Sequence, residues 1–112
     1  MSKSQCPRLA PEVRAGIEAE TAAFRRRFGR MPCNDDPVIF DRDAPTPQPL
    51  TGNALLVHLH ELGTRSGMKA PTIYAHHKLF RQLGEGFDAH LWEQAIHEYY
   101  FYAHTTDVAV VV

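Results

Sequence analysis

Residues 88–103 read DAHLWEQAIHEYYFYA. Leu91, Trp92, Ala95, Ile96, Tyr99, Tyr102 and Ala103 recur at steps of three and four, which places them on one broad side of an α-helix. Asp88 stands just ahead of the run, where a short carboxylate can accept the unpaired N–H groups of a first turn. The pattern predicts a helix over residues 89–103 that packs by its Leu91–Ala103 side.

Moving toward the N-terminus, Pro71 and Thr72 open a second predicted helix, with Ile73, His76 or His77, Phe80 and Leu83 in a stripe that stops at Gly84. Residues 65–69 form the turn before it. A third helix is expected from residue 51 or 53 to residue 62, ended near Gly63, with Leu55, Leu59 and Leu62 on its core side and Leu56 flanking them. The first helix in the chain begins at Pro11, whose missing N–H is unpaired in a first turn anyway, and runs to Phe28 ahead of Gly29. Val13, Ile17, Phe24 and Phe28 form its apolar stripe. Glu12, Glu18 and Glu20 lie early and Arg25, Arg26, Arg27 and Arg30 late, in accord with the helix dipole.

The fold class that follows is mainly α: a small bundle of about four helices in one domain over residues 1–112, with residues 1–9 as a flexible tail. Residues 31–50 carry five prolines and four aspartates, which rules out a helix and makes a long connection. Its apolar run Val38, Ile39, Phe40 needs cover, either by Ile39 or Phe40 anchoring on the helices or by a short strand over 38–41. Residues 107–112, DVAVVV, read as a strand. Pairing of 38–41 with 108–112 in a two-stranded ribbon is the economical way to cover both, and burial of Val110 and Val112 in a partner or fraying are the alternatives.

Hydrophobic residues make up 44% and charged residues 22% of the chain, a balance that folds rather than one that stays disordered. No apolar run reaches the roughly 18 residues of a membrane span, and residues 1–10 lack the apolar core of a secretory signal, so a cytoplasmic protein without membrane attachment is expected. Cys6 and Cys33 are read as reduced thiols, with Arg30 close to Cys33 in sequence. The net charge of −1 excludes a uniformly basic nucleic-acid coat, but it is unevenly laid out. Residues 1–30 carry +4, 31–64 carry −4, 65–81 carry +4 and 82–112 carry −5, a pattern suited to oriented docking.

Seven histidines raise the question of a metal. His90, His97 and His104 recur every seven residues, two helical turns or about 10 Å apart, too far for one ion to be held from a single helix. His58 and His60 are two apart and point in different directions. No metal, cofactor or catalytic residue is therefore assigned. There is no phosphate-cradling glycine loop and no nucleophile elbow, and Asp35, Asp36, Asp41 and Asp43 read as turn residues and solvated charges.

One stretch carries a family likeness. Residues 62–77, LGTRSGMKAPTIYAHH, resemble the helix-turn-helix of tetracycline-repressor-type regulators, matching at Gly67, Thr72, Ile73, Tyr74 and His76, with His77 where that family usually has phenylalanine. The resemblance implies that Thr72, Tyr74 and His76 face DNA while Arg65, Lys69, Lys78 and Arg81 hold its backbone. Four cations and no acid over residues 65–81 agree with this reading.

The first expectation is nonetheless a non-enzymatic interaction or regulatory protein, an adaptor, inhibitor or subunit that binds another protein or itself. Tyr99, Tyr100, Phe101 and Tyr102 encircle their helix, so at least one ring faces outward. Tyr100 and Phe101, with His97 and the valines Val110 and Val112, are the expected interface. The helix-turn-helix DNA-binding regulator is the alternative.

Overall fold

The computed structural model describes residues 11–84 and 86–104. Four helices follow in order: α1 Pro11–Phe28, α2 Gly52–Ser66, α3 Ala70–Leu83 and α4 Ala89–Ala103. The molecule is a mainly α bundle, as the periodicity requires. Asp88 caps α4 by accepting from the backbone N–H groups of His90 at 2.9 Å and Leu91 at 3.0 Å, so the first turn has no orphaned donor at those two positions. Pro71 lies in the opening of α3.

The second helix departs from expectation at its end. It passes Gly63 and stops one turn later, where Gly67 takes a left-handed conformation (φ 74°) and its N–H reaches the Gly63 carbonyl at 2.7 Å. Gly63 is needed for closeness rather than for a stop, because a Cβ there would lie 2.6 Å from the Met68 carbonyl oxygen.

The middle of the bundle is formed by α2 and α3, each packed on both α1 and α4. Tyr74 meets Tyr99 and His76 meets Trp92, so rising numbers in α3 face falling numbers in α4 and the two run antiparallel. Leu55, Leu59, Ile73 and Tyr74 form the centre of the core, with Tyr99 and Ala103 closing it from α4. Burying each large apolar side chain contributes about 1.5–3 kcal/mol before the entropy of ordering is counted.

Residues 29–50 form an arm across α1 and α3. Val38, Ile39 and Phe40 are all buried, and Phe40 joins Phe24 and Phe28 of α1 in a cluster with ring centroids 4.8–5.6 Å apart. In place of a strand the arm folds back on itself: Asp41 N–H donates to Gln48 O and Leu50 N–H to Ile39 O around a single Phe40–Pro49 bridge. The expected ribbon with residues 108–112 lies outside the described residues. No described helix is long and apolar enough to cross a membrane.

Candidate functional site

The arm is fastened by arginines. Arg27 donates from Nε and Nη2 to the carbonyls of Arg42 and Ala44. Arg30 makes a two-pronged pair with Asp36 at 2.7 and 3.1 Å, and Asp36 also accepts from the Cys33 N–H at 2.8 Å. These bonds, the Arg30 one foremost, hold the Asp36 carboxyl well below the usual carboxylate range. Arg30 Nη1 also donates to Cys33 Sγ at 4.0 Å, and the exposed Cys33 thiol donates to the same carboxylate at 3.3 Å. From α3, Arg81 Nη1 reaches the carbonyls of Asp36 and Pro37 at 3.1 and 3.0 Å, and burial lowers its pKa.

The centre of this fastening is Glu20, 4% exposed on α1. Its two oxygens take Arg42 Nη1 and Nη2 from the arm at 3.2 and 3.3 Å, and Oε2 meets His58 Nε2 from α2 at 2.5 Å. Burial pushes the Glu20 carboxyl up, but the hydrogen bonds and charges of His58 and Arg42 outweigh it and the net pKa falls below the ordinary value. A single carboxylate thus joins three segments. The sequence did carry a signal for it: Glu20 sits between Ile17 and Phe24 at helical spacing, an acid inside the apolar stripe. Arg42 and His58 carried none, since their convergence depends on how the segments fold together.

His77 of α3 is buried beside this cluster at 3% exposure. Burial pushes its pKa down to about 4, so the ring is neutral near pH 7. Among the described residues its Nε2 has no hydrogen-bond partner, and a Cβ on Gly16 of α1 would lie 3.6 Å from that atom. Leaving such a group unpaired costs about 1–3 kcal/mol. Among the described residues, no three His, Cys, Asp or Glu side chains are grouped to hold a metal ion.

The residues implied as DNA contacts are placed unequally. Tyr74 is 2% exposed and donates its hydroxyl to Glu98, so it is a core residue and does not face a groove. Burial and Glu98 push its pKa far above the usual phenol value. Lys78 is committed to Glu98 at 3.2 Å, and Arg81 turns to the arm. These three placements have one cause: α3 packs against three neighbouring helices. His76 is half-buried with its ring on the edge of Trp92 at 5.0 Å, and burial lowers its pKa. Thr72 is half-buried and Lys69 exposed. The side chain of Arg65 lies outside the described set.

The expected interface on α4 is open. Tyr100 is 49% and Phe101 68% exposed, and His97 is exposed one turn earlier. The Tyr100 ring stacks on His104 with 3° between planes and 5.9 Å between centroids, and Phe101 meets Tyr102 edge-on at 5.2 Å. Val110 and Val112 fall outside the described residues.

No protein-family model, no curated protein and no solved structure matches this chain.

Proposed function

We propose that the protein is a small non-enzymatic regulatory or adaptor module that binds another protein through the outer face of α4. The observation that carries this reading is the pair of adjacent aromatic side chains, Tyr100 and Phe101, exposed on a helix that is seated in the core by Ala95, Tyr99 and Ala103. Exposed aromatics at the centre of a patch are the side chains that most often anchor protein interfaces. The five acids and no bases of residues 82–112 favour a partner surface with an apolar centre and a basic rim. His97 stands at the edge of that patch.

The test is capture from the native host with wild-type protein and a Tyr100→Ala, Phe101→Ser double variant, with light scattering on both. A partner retained by the wild type and weakened about 30-fold or more in the variant supports the reading, in line with the loss of a hot-spot anchor. Equal capture by both proteins overturns it, and a wild-type dimer that the variant abolishes makes the partner a second copy.

The DNA-binding alternative now rests on the start of α3, where Lys69 is exposed and no acid lies in the first turn. Fluorescence anisotropy with a random duplex at low salt should show weak, steeply salt-dependent binding on that reading, and none if it is wrong.

A further inference from the structure

The arm does not close completely over the helices. Between residues 31–38, α1 and α3 lies a cavity of about 240 Å³, with Met31, which is 57% exposed, on its wall. Ile17, Val38 and Phe80 supply apolar wall, and Thr21, Glu20, His77 and Arg81 supply polar groups. We propose that this cavity is a binding site for a small uncharged molecule made of one ring and one hydrogen-bonding head, of the aryl amide or phenol class.

Size sets the first limit. An apolar cavity of about 150 Å³ admits a benzene ring, so this one holds a ring with a polar substituent and little more. Charge sets the second. The wall carries both the Glu20 carboxylate and the Arg81 guanidinium. A carboxylate ligand meets Glu20, an ammonium ligand meets Arg81, and each would give up its hydration to enter a partly enclosed space beside a like charge. A neutral head avoids both costs.

The hydrogen-bonding partners are also in place. Both hydrogen bonds that Arg81 makes to the arm leave from Nη1, and among the described residues its other N–H groups meet no acceptor, which leaves them as donors. The Glu20 oxygens are already taken by Arg42 and His58, and the Arg81 charge is itself opposed by Asp36 and Glu20 close by, so neither charge on the wall stands uncompensated to reward an ion. A bound ring would touch all three segments at once and hold the arm to α1 and α3. None of these residues belongs to α4, so the cavity is independent of the proposed docking face.

Benzamide, benzoate and benzylammonium, three molecules of one size and three charges, test the proposal by amide NMR titration of the full chain. Benzamide is expected to shift the resonances of Thr21, Val38 and Phe80 with a Kd on the order of 1 mM, the range of a fragment this small. Both ions should bind at least about tenfold more weakly. Thr21→Phe, which fills the cavity from α1, should abolish the shifts, and Thr21→Leu serves the same purpose if the larger ring disturbs the fold. Phe101→Ser should leave them unchanged. Failure of benzamide to move these residues at millimolar concentration, undiminished binding to both Thr21 variants, or benzoate binding as tightly as benzamide would each overturn the assignment.

Discussion

On the α1 side of the molecule Arg27, Arg30, Arg42 and Arg81 turn onto the arm's carbonyls and onto Asp36 and Glu20, whereas on α4 Tyr100 and Phe101 turn toward solvent. The two regions answer different physical needs. The arm has almost no repeating backbone hydrogen bonds, so side chains must satisfy its carbonyls and fix its path. The fourth helix satisfies its own backbone, is capped by Asp88 and is already seated by Ala95, Tyr99 and Ala103. Its outward rings, Tyr100 and Phe101, are the side chains on which the proposed docking face rests.

The largest expected effect lies on the arm side. Phe40→Ala removes a ring that is 1% exposed and packed on Phe24 and Phe28, and should cost about 3–5 kcal/mol in urea unfolding. A loss below about 1 kcal/mol would mean that the arm is not part of the cooperative unit, and the contrast with α4 would collapse.

Acid should come next. His77 has a folded pKa of about 4 against an ordinary 6.5, so its contribution is complete above pH 6.5 and is lost as the pH falls toward 4, by up to roughly 3 kcal/mol. Its charged neighbours there are Glu20, which favours the protonated ring, and His58, Arg81 and His76, which oppose it. Glu20 is lowered from 4.5, so its contribution is present above that value and disappears only below it. Stability is thus expected to fall in two stages on acidification. His77→Phe should shrink the upper stage, which the half-buried His76 shares, and Glu20→Gln the lower one, which Asp36 shares, both read from urea midpoints across pH. An unchanged profile in His77→Phe would show that some other group governs the first stage.

The smallest effect should come from the opposite face. Tyr100→Ala and Phe101→Ala are each expected to change unfolding free energy by no more than about 0.5 kcal/mol, as exposed positions usually do. A cost above about 2 kcal/mol would make these rings structural and erase the difference between the two regions.

Much of the architecture was legible in local spacing. The α4 stripe and its Asp88 cap, the Pro11 start of α1 and the burial of Val38, Ile39 and Phe40 follow from residues near one another in sequence. The end of α2 did not, because Gly63 answers to the Met68 carbonyl, which approaches it only once the turn has formed. The polar fastening was nearly invisible: Glu20 meets His58 and Arg42 across long stretches of chain, and no local period relates them.

The sequence by itself determined where four helices begin and the apolar side of α1, α2 and α4, since helix periodicity and capping act over three or four residues, whereas on α3 the expected stripe ended in Leu83, which is exposed, and missed the buried Tyr74, Ala75 and Leu79. Only the tertiary structure decided that α3 is enclosed rather than open, that Tyr74, Lys78 and Arg81 are committed inward, and that one carboxylate on α1 joins α2 to the arm. Those outcomes depend on which helix faces which, and that is set by the whole core packing together rather than by any one segment.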